Sequence, residues 1–175
     1  MNNNNTLLEI LEYEPVPSRF GTSGVRALVE DLTDLEVYCL VSGTLEYLKT
    51  AGKVDRRDRP AGRVKMPLAG DLRPSTDRIL ISAARAIMDA GYQVDYMGRL
   101  PTPALTFYAL QKGLASFIVT GSHIPADRNG IKANRSDGEV LKSDEPGIVA
   151  AVESVRKAQY SQPASASKFA GDGML

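Results

Sequence analysis

A hydroxyl, an imidazole, two cations and two glycines lie together in the segment Thr120-Gly121-Ser122-His123-Ile124-Pro125-Ala126-Asp127-Arg128-Asn129-Gly130-Ile131-Lys132. These groups suit the handling of phosphate. Glycine-rich backbone offers amide donors, cations neutralise oxyanions, and a serine beside an imidazole can accept or contact a phosphoryl group. The apolar residues 115–119 just before it have the length and β-branched content of a buried strand. Ser122 is therefore expected just past the carboxyl end of a strand, where open α/β sheets bind their ligands.

Two further segments carry related chemistry. In Arg19-Phe20-Gly21-Thr22-Ser23-Gly24-Val25-Arg26, arginines bracket two glycines and two hydroxyls. That set matches phosphate oxygens, and it reads equally well as a glycine turn with surface arginines. In Gly70-Asp71-Leu72-Arg73-Pro74-Ser75-Thr76-Asp77, the polar knot of Asp71, Arg73 and Ser75 precedes a helix. There an amino terminus could hold an anion, or the hydroxyls could simply cap the helix.

The elements that must position these groups follow from periodicity and punctuation. Thr33-Asp34-Leu35-Glu36 is a capping-box pattern that opens a helix to about Thr50, with an apolar face at Leu35, Tyr38, Cys39 and Leu45. Residues 64–69 form a candidate strand complicated by Pro67. A helix follows from Ser75 or Thr76 with Leu80, Ala83, Ala84 and Ile87 as its stripe and Gly91 as its stop. Residues 93–97 read as the next strand, and Thr102-Pro103 starts a helix to about Lys112 with the proline at its first position. Residues 131–134 and 139–142 flank Arg135-Ser136-Asp137-Gly138 as a hairpin, and a last helix spans about 143–159. Strands that alternate with helices predict one α/β domain over residues 19–160 with a mostly parallel mixed sheet, between an irregular segment 1–18 and a flexible tail 161–175.

Composition narrows the function classes. The chain has 175 residues, with 21 basic and 21 acidic side chains that cancel. This removes the electrostatic case for non-specific nucleic-acid binding, and Arg56-Arg57-Asp58-Arg59 reads as a solvated loop. Cys39 is the single cysteine, so no internal disulfide forms, which suits a reducing cytoplasm. No apolar run approaches the roughly 18 residues of a membrane span, and the Asn-rich start lacks the regions of a signal peptide, so no membrane partner is expected.

Taken in order, Arg-Phe-Gly-Thr-Ser-Gly-x-Arg, Gly-Asp-x-Arg-Pro-Ser and Thr-Gly-Ser-His-x-Pro-x-x-x-Asn-Gly-x-Lys resemble the α-D-phosphohexomutases, the family of phosphomannomutase and phosphoglucomutase, over about residues 18–160. The resemblance implies the three-layer α/β/α architecture of the family's first domain. It implies that Ser122 carries a phosphoryl group, exchanged with a hexose phosphate through a hexose 1,6-bisphosphate that also serves as activator. Arg26 and Lys132 match positions near the reacting phosphate, and His123 stands beside the phosphoserine as a positioning or hydrogen-bonding residue, a purely structural role remaining open. Thr22, Ser23, Arg26, Arg73 and Asn129 are the implied substrate and phosphate contacts, and Mg2+ is implied at Ser122 through its phosphate.

The chain departs from the family pattern in three places. Ile124 stands where family loops usually carry Asn, and Gly121 where many carry Ala. The chain also ends before the three later domains that supply the metal carboxylates, sugar recognition and the distal phosphate site; Gly171-Asp172-Gly173 offers one carboxylate where three are expected. The expectation is a mutase domain that is catalytically incomplete alone, binds Mg2+ weakly or not at all, and has hexose phosphates and the remaining mutase domains or a full-length homologue as partners. Two other readings stay open: a non-catalytic phosphoprotein or interaction domain derived from the family, and an unrelated phosphate-binding α/β module.

Overall fold

A computed structural model describes residues 5–17, 19–21 and 24–175. Its frame is a mixed sheet of strands β1 (Val25–Leu28), β2 (Lys65–Gly70), β3 (Gln93–Arg99), β4 (Ser116–Val119), β5 (Arg128–Arg135) and β6 (Gly138–Glu139). The order across the sheet is β1-β5-β4-β2-β3, with β6 paired to β5. Strands β3, β2 and β4 are parallel, whereas β5 runs antiparallel to β4, β1 and β6. The parallel part is smaller than the alternation of elements predicts. The sequence reading passed over β1, and the late hairpin joins the main sheet through β5.

Among the described residues five helices accompany the strands: α1 (Leu7–Ile10), α2 (Asp34–Thr50), α3 (Thr76–Asp89), α4 (Thr102–Lys112) and α5 (Glu145–Ser161). Period-two alternation divides the strand residues between two cores. Met66, Leu68, Phe117 and Val119 join the stripes of α2, α3 and α5 on one face. Ala69 and Ile118 meet Leu105 of α4 on the other. Helices thus cover both faces of a mixed sheet, as the expected α/β architecture requires. Pro67 is tolerated in β2 because the ladder to β4 begins one residue later, at Leu68.

Several ends differ from expectation by a residue or a partner. Thr33 caps α2 through Glu36 N–H at 3.4 Å, but the Glu36 carboxylate does not complete the box. It lies buried against Arg156 of α5, with Nε 3.0 Å from Oε2, and Tyr160 donates to it as well. Pro101, rather than Thr102, occupies the cap of α4.

The segments expected to be irregular and flexible pack on each other. Thr6 and Glu9 form a reciprocal capping box on α1, and Leu7 N–H donates to Gln162 C=O at 2.9 Å. Phe169 is buried edge-on against Tyr38, with ring centroids 5.4 Å apart, and Gly173 C=O accepts from Leu35 N–H at 2.9 Å. Single apolar anchors such as Leu7 and Phe169 leave no periodic signal, which is why pattern reading missed both. The Arg56-to-Arg59 run is likewise tied down, with Arg59 Nε 2.6 Å from Asp55. No helix among the described residues is long and apolar enough to cross a membrane.

Helices α2 and α5 approach so closely at Gly43 that a β-carbon there would lie 2.5 Å from Val152 Cα. Backbone cannot yield as a side-chain tip can. Gly43→Ala should therefore lower stability by about 2 kcal/mol, the overpacking penalty outweighing the ~1 kcal/mol gained from better helix propensity. Urea midpoints of the two proteins check this, and an unchanged or higher midpoint for the variant would show that the helices separate freely.

Candidate active site

After β2 the chain crosses to β3 through α3 on one face, and after β3 it crosses to β4 through α4 on the other. The chain leaves β2 through α3 toward β3 on one side, and beyond β4 it turns back to β5 on the other, so the neighbouring carboxyl ends of β2 and β4 leave a crevice, the usual ligand position in such sheets. Residues 121–127 leave β4 at that point. Thr120 N–H still bonds Gly130 C=O at 2.9 Å, and Gly121 N–H then turns to the Asp71 carboxylate across the crevice at 2.9 Å.

Ser122 follows in the left-handed region, with φ of +53°, its side chain exposed. A non-glycine residue held there carries about 1–2 kcal/mol of strain. Thr120 Oγ1 accepts from its N–H at 3.0 Å, and His123 Nδ1 lies 3.3 Å from its Oγ. The hydroxyl and the imidazole thus lie within hydrogen-bond distance of each other.

The cations arrive on strands. Arg26 faces Gly130 across β1 and β5, and Lys132 faces Ile118 across β5 and β4. Cross-strand partners share a face, and Ile118 packs on the α4 side, so Arg26, Lys132 and Thr120 all belong to that face. Arg19 and Arg128 join Arg26 around a hollow of about 230 Å³ that also meets Asp31. Among the described residues no carboxylate pairs with Arg19, Arg26, Arg128 or Lys132. Thr22 and Ser23 lie outside the described residues.

Arg73 and Asn129 do something other than the expected phosphate contact. The Arg73 guanidinium donates to the carbonyls of Pro125 (2.7 Å), Arg128 (3.1 Å), Ile124 (2.6 Å) and Ser122 (3.4 Å), and its Nε lies 3.4 Å from Asp71. The four N–H donors of Nη1 and Nη2 are thereby occupied, and Nε faces the Asp71 carboxylate. Asn129, fully buried, donates to Ser75 Oγ and Thr76 Oγ1 and accepts from Gly130 N–H at 2.8 Å. Both side chains spend their terminal donors within the protein.

Residues 17–159 match the family model described as phosphoglucomutase/phosphomannomutase, alpha/beta/alpha domain I. The chain belongs to this family. It is 38% identical over 135 residues to a phosphomannomutase of Sinorhizobium fredii, covering 77% of this chain and 27% of that protein. A phosphomannomutase of Salmonella muenchen is 38% identical over 130 residues, 74% of this chain and 25% of the relative. A phosphoglucosamine mutase of Deinococcus deserti is 33% identical over 138 residues, 78% and 30%. The chain thus spans between a quarter and a third of the length of these relatives. A solved phosphoglucomutase/phosphomannomutase family protein from Burkholderia thailandensis shares the fold, with a TM-score of 0.60 at 21% identity, covering 86% of this chain and 32% of that one.

Among the described residues no three His, Cys, Asp or Glu side chains gather as a metal site. Near Ser122, both oxygens of Asp71 are occupied, Oδ1 by Arg73 N–H and the Thr76 hydroxyl and Oδ2 by Gly121 N–H. Asp172 Oδ1 accepts from Met174 N–H. The residues present do not fit the shell of carboxylates that Mg2+ ordinarily takes.

The Asp71 carboxylate is the group sequence reading undervalued, because its partners are a distant amide and a hydroxyl rather than an anion. Burial pushes its pKa up, but the Thr76 hydroxyl, the Arg73 and Gly121 amides and the Thr120 hydroxyl outweigh this and hold it below the usual carboxylate range. A carboxyl whose folded pKa is depressed adds stability that is present above its unfolded pKa of about 4 and is lost as pH falls through the folded value. Asp71→Asn should therefore lower stability at neutral pH and flatten the loss of stability in acid. Denaturation midpoints at pH 7 and at pH 3 test it, since a variant that loses as much between these pH values as the parent would show Asp71 to be uninvolved.

Proposed function

We propose that this chain is the phosphoryl-carrying domain of a hexose-phosphate mutase in carbohydrate metabolism, with Ser122 as the carrier. The observation that carries this reading is Ser122 itself: exposed, left-handed, beyond β4 at the crevice, with an imidazole at 3.3 Å, while Arg26 and Lys132 lie on the strand face that Thr120 shares. Relatives named phosphomannomutase and phosphoglucosamine mutase support aldohexose phosphates as the substrate class.

The exchange is balanced in each direction. When Ser122 is loaded, the bond from a sugar oxygen to phosphorus breaks and the Oγ–P bond forms. The Ser122 proton passes to the departing sugar oxygen, with His123 Nδ1 able to hold it in between in the tautomer that accepts. Unloading onto the other end of the sugar reverses these steps. A serine phosphate brings close to two negative charges, and charge spreads over its oxygens during transfer, so Arg26 and Lys132 act as the electrostatic partners.

Mg2+, which the family resemblance implies, would find here only oxygens of the Ser122 phosphate, and no step is assigned to it. Turnover by this chain alone should accordingly be slow, with the remaining domains of a full-length mutase as partners that complete the metal shell and close over the sugar. The unpaired, buried Cys39, whose thiol burial pushes well above its usual pKa, suits a reducing cytoplasm.

Incubation with labelled glucose 1,6-bisphosphate should place label on Ser122, and Ser122→Ala should abolish it while changing stability by less than about 1 kcal/mol. Mass spectrometry of the labelled peptide checks this. Undiminished label on the alanine variant would put the carrier elsewhere, and no label on either protein would favour a non-catalytic or merely anion-contacting domain.

A further inference from the structure

Residues 70–76, between β2 and α3, touch the serine loop along its whole length. At its start Asp71 accepts from Gly121 N–H at 2.9 Å. Through its middle the Arg73 guanidinium gathers the carbonyls of Ser122, Ile124, Pro125 and Arg128. At its end Asn129 donates to Ser75 and Thr76, and Thr76 in turn donates to Asp71 at 2.6 Å. Arg99 at the end of β3 donates to the Asp71 carbonyl at 2.6 Å, which ties the mould to a third strand.

Gly121 belongs to the same device. Arg73 lies directly across it, so that a β-carbon at this position would sit 2.2 Å from Nε and 2.3 Å from Cζ. The guanidinium is the far end of a flexible side chain, so an alanine would be admitted by a shift of Arg73 away from its present position over residue 121. The absence of a side chain at 121 and the position of Arg73 are therefore two halves of one arrangement.

We propose that Asp71 and Arg73 are positioning residues that hold Ser122 in its left-handed conformation, and that the bare backbone at Gly121 sets how closely Arg73 packs over the loop. Arg73 faces carbonyls rather than the transferred phosphate and acts on the chemistry only through the place it gives Ser122 Oγ. A lysine cannot substitute, since one ammonium has three donors and no planar fork to span four carbonyls. The inference rests on the carrier role proposed for Ser122, but the geometry of the loop can be measured independently of that role.

The test uses the whole 175-residue chain and the variants Arg73→Ala, Arg73→Lys and Gly121→Ala. Two measurements are made on each. The first is amide hydrogen exchange of residues 121–128, with the Ser122 Cα chemical shift as a report on its φ. The β4 amides serve as the internal control for folding. All three variants should speed exchange in the loop by about tenfold or more while the β4 amides stay protected. The Ser122 shift should move, and Arg73→Ala combined with Gly121→Ala should be no worse than either alone, since both remove one interaction.

The second measurement is the rate of Ser122 labelling from glucose 1,6-bisphosphate. The rate at saturating donor should fall by about tenfold or more with the half-saturating concentration unchanged, as expected when position rather than binding is lost. An unchanged Ser122 shift and loop exchange in Arg73→Ala would overturn the inference. So would a higher half-saturating concentration with an intact loop, which would return Arg73 to the phosphate. If the parent chain takes no label, the carrier reading fails, while the exchange and shift data still decide whether Arg73 and Gly121 shape the loop.

Discussion

The hydrogen bond from Gly121 N–H to the Asp71 carboxylate joins the carboxyl ends of two parallel strands whose following segments lead in opposite directions along the sheet, β2 through α3 to β3 and β4 back to β5. An open α/β sheet leaves amide donors unsatisfied at such a crevice, and a buried amide without a partner destabilises by an amount comparable to a lost hydrogen bond. Asp71 resolves that for the first loop amide and, by accepting from Thr76 and Arg73 N–H as well, fixes the turn that bears Arg73. The strained φ of Ser122 persists because neighbours on both sides of it are already held. Strain of this kind survives only where the surroundings over-determine it.

The division of the sheet's faces explains where charge is put. The side that packs α2, α3 and α5 is apolar and is closed by one buried ion pair, Glu36 with Arg156, whose partners also engage Tyr160. The α4 side has a smaller apolar cluster of Ala69, Leu105 and Ile118, and beyond it the strands β1 and β5 present Arg26 and Lys132. A thin core on that face leaves strand positions free for cations that a thick core would have had to exclude, because unpaired charges are not tolerated in an apolar interior.

Much of this arrangement was legible in the residues. The apolar run ending at Val119 and the glycine at 121 located a strand and its exit, and so placed Ser122. Thr33, Gly91 and the alternating strands and helices fixed most boundaries within a residue or two. Strand β1 escaped because four residues reading Val-Arg-Ala-Leu carry too little alternation to stand out, and their strand character comes from pairing with a segment a hundred residues away. Glu36 and Arg73 escaped for a related reason. Each has a plausible local role, in a capping box or at a phosphate, and each is drawn away by partners distant in the chain, Arg156 in one case and four backbone carbonyls in the other. Carbonyls have no signature in a sequence, so an arginine that binds them is indistinguishable there from one that binds an anion.

Position and charge are therefore supplied by different parts of the chain. The turn between β2 and α3 determines where Ser122 Oγ stands, through donors and acceptors spent within the protein. Strands β1 and β5 determine where Arg26 and Lys132 stand, and a strand within a ladder moves less than a loop. Cations fixed in advance stabilise charge that moves during transfer without having to reorganise at that moment, which is the condition under which electrostatic stabilisation is most effective. Arg73, by contrast, has its terminal donors committed to carbonyls and its Nε beside Asp71. A loop built with a free arginine at that point would have added one more phosphate contact, but the carbonyls of Ser122, Ile124, Pro125 and Arg128 would then have turned to water, and the serine would have lost the constraint that aims it.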